Sequence, residues 1–330
     1  MRKLGDLKFG VTGSGTTHSD QAIPDVDTKF RMVKEAGVFD YIDRSPPDEE
    51  LAQYEASVQK YGIPVLSSGW FYTLGRDEKL FERNIDVAKR LGSQVHNVQI
   101  MTKDAAGVPV TNQQVADFYL RARDYAIPRG VTPCLEVHVN MWSEHYGRVA
   151  QVAALVEARG VPFRMTLDHS HVIFKIDNPK EQEVQGMKAD VDAGRVVLDP
   201  FKPGAVTDLW TRSNWVRLTH ARAAAPGGPV NVWAKHPDGS FGRGIQYPFV
   251  RPKPGEWHSA WDEAKLEPWK EVVRRLFRHH AQDPKSELSH VSCEFIPPPD
   301  YGGGAKYSIF ENNVACARWL RETWAASLAA

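Results

Sequence analysis

The chain has 330 residues, 42% of them hydrophobic and 25% charged, the proportions of a globular protein with a sizeable core. Lys plus Arg and Asp plus Glu both total 41, so the net charge is zero and gives no electrostatic reason to expect a nucleic acid or a membrane surface as partner. Cys134, Cys293 and Cys316 have no paired spacing, and neither a signal-peptide pattern nor an apolar run of about 18 residues occurs, which predicts reduced thiols and a cytoplasmic location.

In chain order, short apolar runs alternate with amphipathic stretches. The first strand is expected at 7–12, and the glycines that follow, Gly10, Gly13 and Gly15, have the spacing G-x-x-G-x-G rather than the dinucleotide fingerprint. The helix after them is expected only at 27–36, too late for its N-terminus to face those glycines. Strands at 39–43 and 63–67 lead into helices at 48–61 and 77–91; in the latter Leu80, Phe81, Ile85, Ala88 and Leu91 share one face. A strand at 95–101 precedes a helix at 112–127, which Thr111 and Gln114 open as a capping box. Strand 132–138 precedes helix 144–158, with Val149, Val152, Leu155 and Val156 on one side. Three further pairs follow: strand 163–168 with helix 182–193, strand 215–220 with helix 262–280, and strand 290–295 with helix 309–328. Gly37, Gly62, Gly92 and Gly160 stand where helices should stop.

Strict alternation implies parallel strands joined by right-handed crossovers, and eight such units suit a closed (β/α)8 TIM barrel better than an open doubly wound sheet. The expectation is one domain over 1–330. Two segments break the rhythm, 172–214 after the sixth strand and 223–261 after the seventh. The second carries Trp233, Phe241, Tyr247, Phe249, Trp257 and Trp261 without a periodic apolar stripe, so it is expected to be a lid or pocket wall on the active-site face, with a subunit interface as the alternative.

Four ionisable residues occupy the same slot in consecutive units: Glu136, Asp168, His220 and Glu294 each lie at or near a strand C-terminus. A barrel brings those ends to one face, where three carboxylates would repel without a cation. The bland alternative is that each acid pairs with a local Arg or Lys. Oxygen ligands with one imidazole and no thiolate suit a single divalent cation, Mn2+ before Mg2+, Co2+ or Fe2+, rather than a structural zinc. His138 shares the face of Glu136 two residues back, and Trp70 and Trp142, just beyond strands three and five, are candidates to stack on a sugar ring.

These motifs, Glu136 in CLEVHV, Asp168 and His171 in LDHSH, His220 and Arg222 in LTHAR and Glu294 in SCEF, resemble the xylose-isomerase-like TIM-barrel superfamily, in particular its sugar isomerase and ketose 3-epimerase branch. The resemblance implies that Glu136 and Glu294 are both metal ligands and proton carriers, and that His171 and Arg222 contact substrate oxygens. The implied substrate is a small carbohydrate, and a homo-oligomer is consistent with the family. The two long segments depart from a compact epimerase. They keep open a lyase or deglycosidase acting on a keto-glycoside or another sugar derivative. An endonuclease of the AP type, which uses several zinc ions and more histidines, and a metal-free sugar-binding barrel are the remaining alternatives.

Overall fold

Backbone hydrogen bonds pass from strand to strand around a complete ring, β1 (Lys8–Thr12), β2 (Tyr41–Asp43), β3 (Val65–Tyr72), β4 (Val95–Ile100), β5 (Thr132–Glu136), β6 (Met165–Asp168), β7 (Val216–Ala221) and, after a hairpin, β10 (His290–Cys293), which closes on β1. Every pairing in the ring is parallel. The computed structural model describes residues 2–19, 22–235 and 237–329. The hairpin, β8 (Asn231–Lys235) with β9 (Phe241–Gly242), is antiparallel and stands outside the ring.

The crossovers are α1 (Val26–Ala36), α2 (Asp48–Tyr61), α3 (Glu78–Leu91), α4 (Asn112–Ala126) and α5 (Tyr146–Glu157), then α6 (Ser170–Ile173), α7 (Pro179–Glu183), α8 (Lys188–Asp192) and α9 (Val206–Arg212), and finally α10 (Glu267–Gln282) and α11 (Ile309–Ala329). On α3 the buried residues include Phe81, Ile85, Ala88 and Leu91, the expected stripe, while Leu80 is exposed at its edge. Burial of Phe81, Ile85 and Leu91 contributes roughly 1.5–3 kcal/mol each. Both bonds of the Thr111–Gln114 capping box form. Gly37, Gly62 and Gly92 end their helices at φ 65°, 67° and 91°, where a side chain would be strained.

Two parts of the helix assignment change. The single helix expected at 182–193 is instead α7 and α8, because Gln185 and Gly186 between them sit at φ 58° and 71° and break the hydrogen-bond ladder. The crossover helix that returns to β7 is α9, inside the segment taken for an insertion. The other segment, 223–261, carries the β8–β9 hairpin, which the sequence reading did not anticipate.

Inside the ring the period of two along each strand decides what faces the axis. Val95, Cys134 and Leu218 form their own small apolar cluster. Two residues further along the same strands come Asn97, Glu136 and His220. On these three strands apolar side chains therefore stand beneath the polar layer, which places the chemistry at the strand C-termini.

Candidate functional site

β5, β6 and β7 end side by side. Asp168 and His220 are register partners on neighbouring strands, Glu136 closes β5, and Glu294 follows β10 with its N–H donating to the Ala221 carbonyl at 3.1 Å. One donor atom from each of Glu136, Asp168, His220 and Glu294 lies within 4.8 Å of all the others. The expected convergence of these four side chains is present in the fold. Glu136 and Asp168 are fully buried, and the Glu294 side chain keeps 17% of its exposure, toward the cleft.

Neighbours hold each member in place. Asn97 and Gln99 donate to Glu136 Oε2, at 2.5 Å from Asn97, and leave Oε1 facing His220 Nδ1 at 2.7 Å. The Ser170 N–H and hydroxyl bond Asp168 Oδ1 at 3.0 and 2.5 Å. Arg222 spans the cluster, paired with Asp168 Oδ2 and with Glu294 Oε2 at 2.9 Å, while His171 Nε2 lies 3.1 Å from Asp168 Oδ2. Burial pushes the Asp168 carboxyl up, but Arg222 and His171 outweigh it and hold that group well below the usual carboxylate range. Burial pushes the His220 imidazole down, yet the charges of Glu294 and Glu136 overcome this and keep it well above 6.5. Three carboxylates against the single guanidinium of Arg222 leave an excess of negative charge that an imidazolium only partly offsets.

A cleft of about 380 Å³ opens above this layer. Its lining includes Asp43, Asn97, Gln99, His138, His220, Arg222, Glu294 and Tyr301, with Trp70, Phe71, Met141 and Ile296 as apolar neighbours. Trp70 and Phe71 lie within β3, which runs past its expected end, and their rings stack at 5.2 Å with 14° between planes. His138 Nδ1 donates to the Val139 carbonyl at 2.6 Å, so its Nε2 accepts from the Tyr301 hydroxyl at 3.0 Å. Burial lowers His138 to about 4 and keeps it neutral. The Tyr301 ring covers the Arg222 guanidinium at 4.2 Å.

Three expectations need correction. Trp142 is 1% exposed and packs in the core rather than lining the cleft; the turn at Asn140, with φ 63°, presents Met141 there instead. His171 is fully buried beneath the cleft, where it braces Asp168 and Arg222 and touches His138 with ring centroids 4.3 Å apart. No described residue of 223–261 lines the cleft; the segment stands behind its wall. It buttresses the loop after β10: Asn231 donates to the Pro299 carbonyl, Gln246 accepts from Ile296 N–H, and Trp233 packs against Gly304. That loop carries Tyr301 and Ile296, the actual wall.

Asn97 and Gln99 were missed although they alternate as polar residues in an apolar strand, the mark of an inward polar face. Asp43 was missed too, yet it ends β2 as Asp168 ends β6. Tyr301 lies in a Pro/Gly-rich loop where no periodicity could mark it. A buried ion cluster was equally invisible: Lys175 meets Glu144 at 2.8 Å, both side chains fully buried, and Arg243 joins Glu144 at 3.2 Å and Glu181 at 2.8 Å. It ties the loop after β5 to α7 and to the segment 223–261.

A closed ring of eight parallel strands with its polar cleft at their C-terminal ends defines the (β/α)8 TIM-barrel class. Within that class the chain belongs to the xylose isomerase-like TIM barrel family, whose model matches residues 30–202, more than half of the sequence. No curated protein matches the sequence. Among solved structures, a xylose isomerase-like TIM barrel protein from Mycobacterium smegmatis in complex with magnesium is similar at 12% identity, over 99% of this chain and 100% of that one, with a TM-score of 0.61. D-allulose 3-epimerase from Methylomonas sp. in complex with D-allulose is similar at 10% identity, 96% of each chain and TM-score 0.54. The probable 3-DHS dehydratase AsbF of Bacillus anthracis is similar at 12% identity, over 95% of this chain and 98% of that one, with TM-score 0.54. At such identities the likeness is one of fold. Among the described residues, no helix is long and apolar enough to cross a membrane.

Proposed function

We propose that this protein is a divalent-cation-dependent isomerase or epimerase of a small carbohydrate, acting by proton removal from a carbon next to a carbonyl. The observation that carries the reading is the convergence of Glu136, Asp168, His220 and Glu294 within 4.8 Å on a buried polar floor. The donor set fits the ion: three hard carboxylates and one imidazole without a thiolate suit Mn2+ foremost, and also Mg2+, Co2+ or Fe2+. Glu136, Asp168, His220 and Glu294 would hold such a cation, whose positive charge would stabilise an enediolate.

This chain's residues do the rest. Glu294, the member that keeps exposure toward the cleft, takes the proton from carbon, and Glu136 carries the other proton transfer. Arg222 donates to a developing alkoxide, with His171 behind it, and His138 and Tyr301 orient the substrate's remaining hydroxyls. Trp70 offers its face to the sugar ring. A second reading, elimination from a keto-glycoside or related sugar derivative, is favoured by the Tyr301 hydroxyl on the cleft wall. The proton on carbon would go to Glu294, the carbon–oxygen bond would break, and the departing oxygen would take the Tyr301 proton.

Incubation of the Mn2+-loaded protein in D2O with free ketoses and with 3-keto-glycosides tests both. Deuterium on carbon with the skeleton intact supports the isomerase or epimerase, release of a leaving group supports elimination, and neither product with any substrate sinks the proposal. Glu294→Gln should keep the cation bound and lower exchange by roughly 10²–10⁴-fold. Near-normal exchange in that variant removes Glu294 from proton transfer.

A further inference from the structure

The imidazole of His220 is faced from both sides. Its Nδ1 lies 2.7 Å from Glu136 Oε1 and 3.4 Å from Glu294 Oε2, and its Nε2 lies 3.5 Å from Asp43 Oδ2. Asp43 is itself anchored, since the Ser292 hydroxyl donates to the same Oδ2 at 2.6 Å. Ser292 Oγ is in turn bonded to the Tyr41 hydroxyl at 2.8 Å. The serine has one proton and gives it to the carboxylate, so Tyr41 is the donor to Ser292. The series Tyr41, Ser292, Asp43 is thus polarised in one direction and ends at His220 Nε2.

The barrel register builds this series. Ser292 is the partner of His220 across β10 and β7 and of Gly10 across β10 and β1, and Gly10 is the partner of Tyr41 across β1 and β2. Gly10 makes room for the buried Tyr41 ring, because a Cβ there would stand 2.3 Å from it. Four adjacent strands spend a layer of inward positions on holding one carboxylate against one imidazole nitrogen. A carboxylate can only accept, so in this structure Nδ1–H donates to Glu136 Oε1; with a cation among the carboxylates in place of that proton, Asp43 would favour hydrogen on Nε2 and leave the Nδ1 lone pair for the ion. At 3.5 Å the Asp43–His220 pair is a charge contact rather than a formed hydrogen bond, with the ring drawn toward Glu136.

We propose that Asp43 is a positioning residue that fixes the ring of His220 with Nδ1 toward the carboxylates and so sets the affinity of the site for a divalent cation. The inference rests on the reading that those four side chains bind such an ion. Among the described residues Asp43 is the side chain paired with Nε2, and without it tautomers that point a proton at the cation would compete with binding.

Mn2+ itself is the probe. Its dissociation constant, from electron paramagnetic resonance, is compared for the full-length wild type, Asp43→Ala, Asp43→Asn and Ser292→Ala, each checked for an unchanged melting profile. Asp43→Ala should weaken Mn2+ by about 10–100-fold, and Asp43→Asn by less, because an amide oxygen still accepts from Nε2–H. Ser292→Ala should lie between wild type and Asp43→Ala, and it carries the test if Asp43→Ala fails to fold. In the Mg2+-saturated wild type, the His220 Nε2–H proton should resonate downfield, and it should move upfield in Asp43→Ala. Mn2+ affinity within about threefold of wild type in Asp43→Ala overturns the inference. So does weaker binding with an unmoved His220 resonance, which would make Asp43 a ligand or a bare charge. A wild type that takes no Mn2+ overturns both this inference and the proposed function, whereas tight wild-type binding that survives Asp43→Ala overturns this inference alone.

Discussion

Two tryptophans with the same expected role separate cleanly at the scale of the residue. Trp70 keeps 36% of its surface exposed on the cleft rim, and Trp142 is buried at 1%. Trp142→Ala should therefore cost about 3–5 kcal/mol in folding stability, read from the denaturant midpoint, through the cavity it leaves. Trp70→Ala should leave that midpoint within roughly 0.5 kcal/mol and instead raise the substrate concentration for half-maximal rate. The reverse pattern would return Trp142 to the cleft. Trp70 lies on β3 itself, which runs past its expected end to the cleft rim, whereas Trp142 follows β5 beyond the turn at Asn140 and is turned into the core.

At the scale of the element, the segment 223–261 acts on the cleft at second hand. Its Trp233 packs against Gly304 in the loop that carries Tyr301, and a Cβ on Gly304 would stand 2.4 Å from Trp233 Cβ at a backbone φ of +75°. Gly304→Ala should thus displace the loop, weaken the Tyr301–His138 hydrogen bond and lower kcat/KM by about tenfold, with Mn2+ affinity unchanged. Loss of Mn2+ in step with activity would show that the loop supports the floor rather than the wall. The aromatic content of this segment was plain in the sequence, and its partners were not, since Trp233 meets a loop some seventy residues downstream. Length and aromatic richness suggested a cover, but the packing makes it a brace.

Buried neutral histidines give the whole molecule a pH dependence. His96, bonded to Ser68 and Tyr72 at 2.7 Å, is lowered by burial to about 3, and His290 by burial to about 4. Their unfolded value is near 6.5, so below that pH the unfolded chain takes up protons that the folded one refuses, and stability falls until the folded values are reached. Each imidazole should cost the folded state about 2 kcal/mol at pH 5 relative to pH 7. The melting temperature should fall steadily from pH 7 to 5, and His96→Gln should flatten that slope. An unchanged slope would mean that His96 does not titrate on unfolding.

The order of residues alone determined the barrel, because an eightfold alternation of short apolar runs with amphipathic stripes admits few parallel folds, and strand C-termini of a barrel share one face. That rule also gathered Glu136, Asp168, His220 and Glu294 before any contact was known. Tertiary structure decided what stands behind them. Asp43, Asn97 and Tyr301 reach the site only through strand register and loop packing, and the Lys175–Glu144–Arg243 cluster joins residues 31 to 99 positions apart. Periodicity reports which side of its own element a residue faces, whereas its partner across the barrel is fixed by closure of the ring.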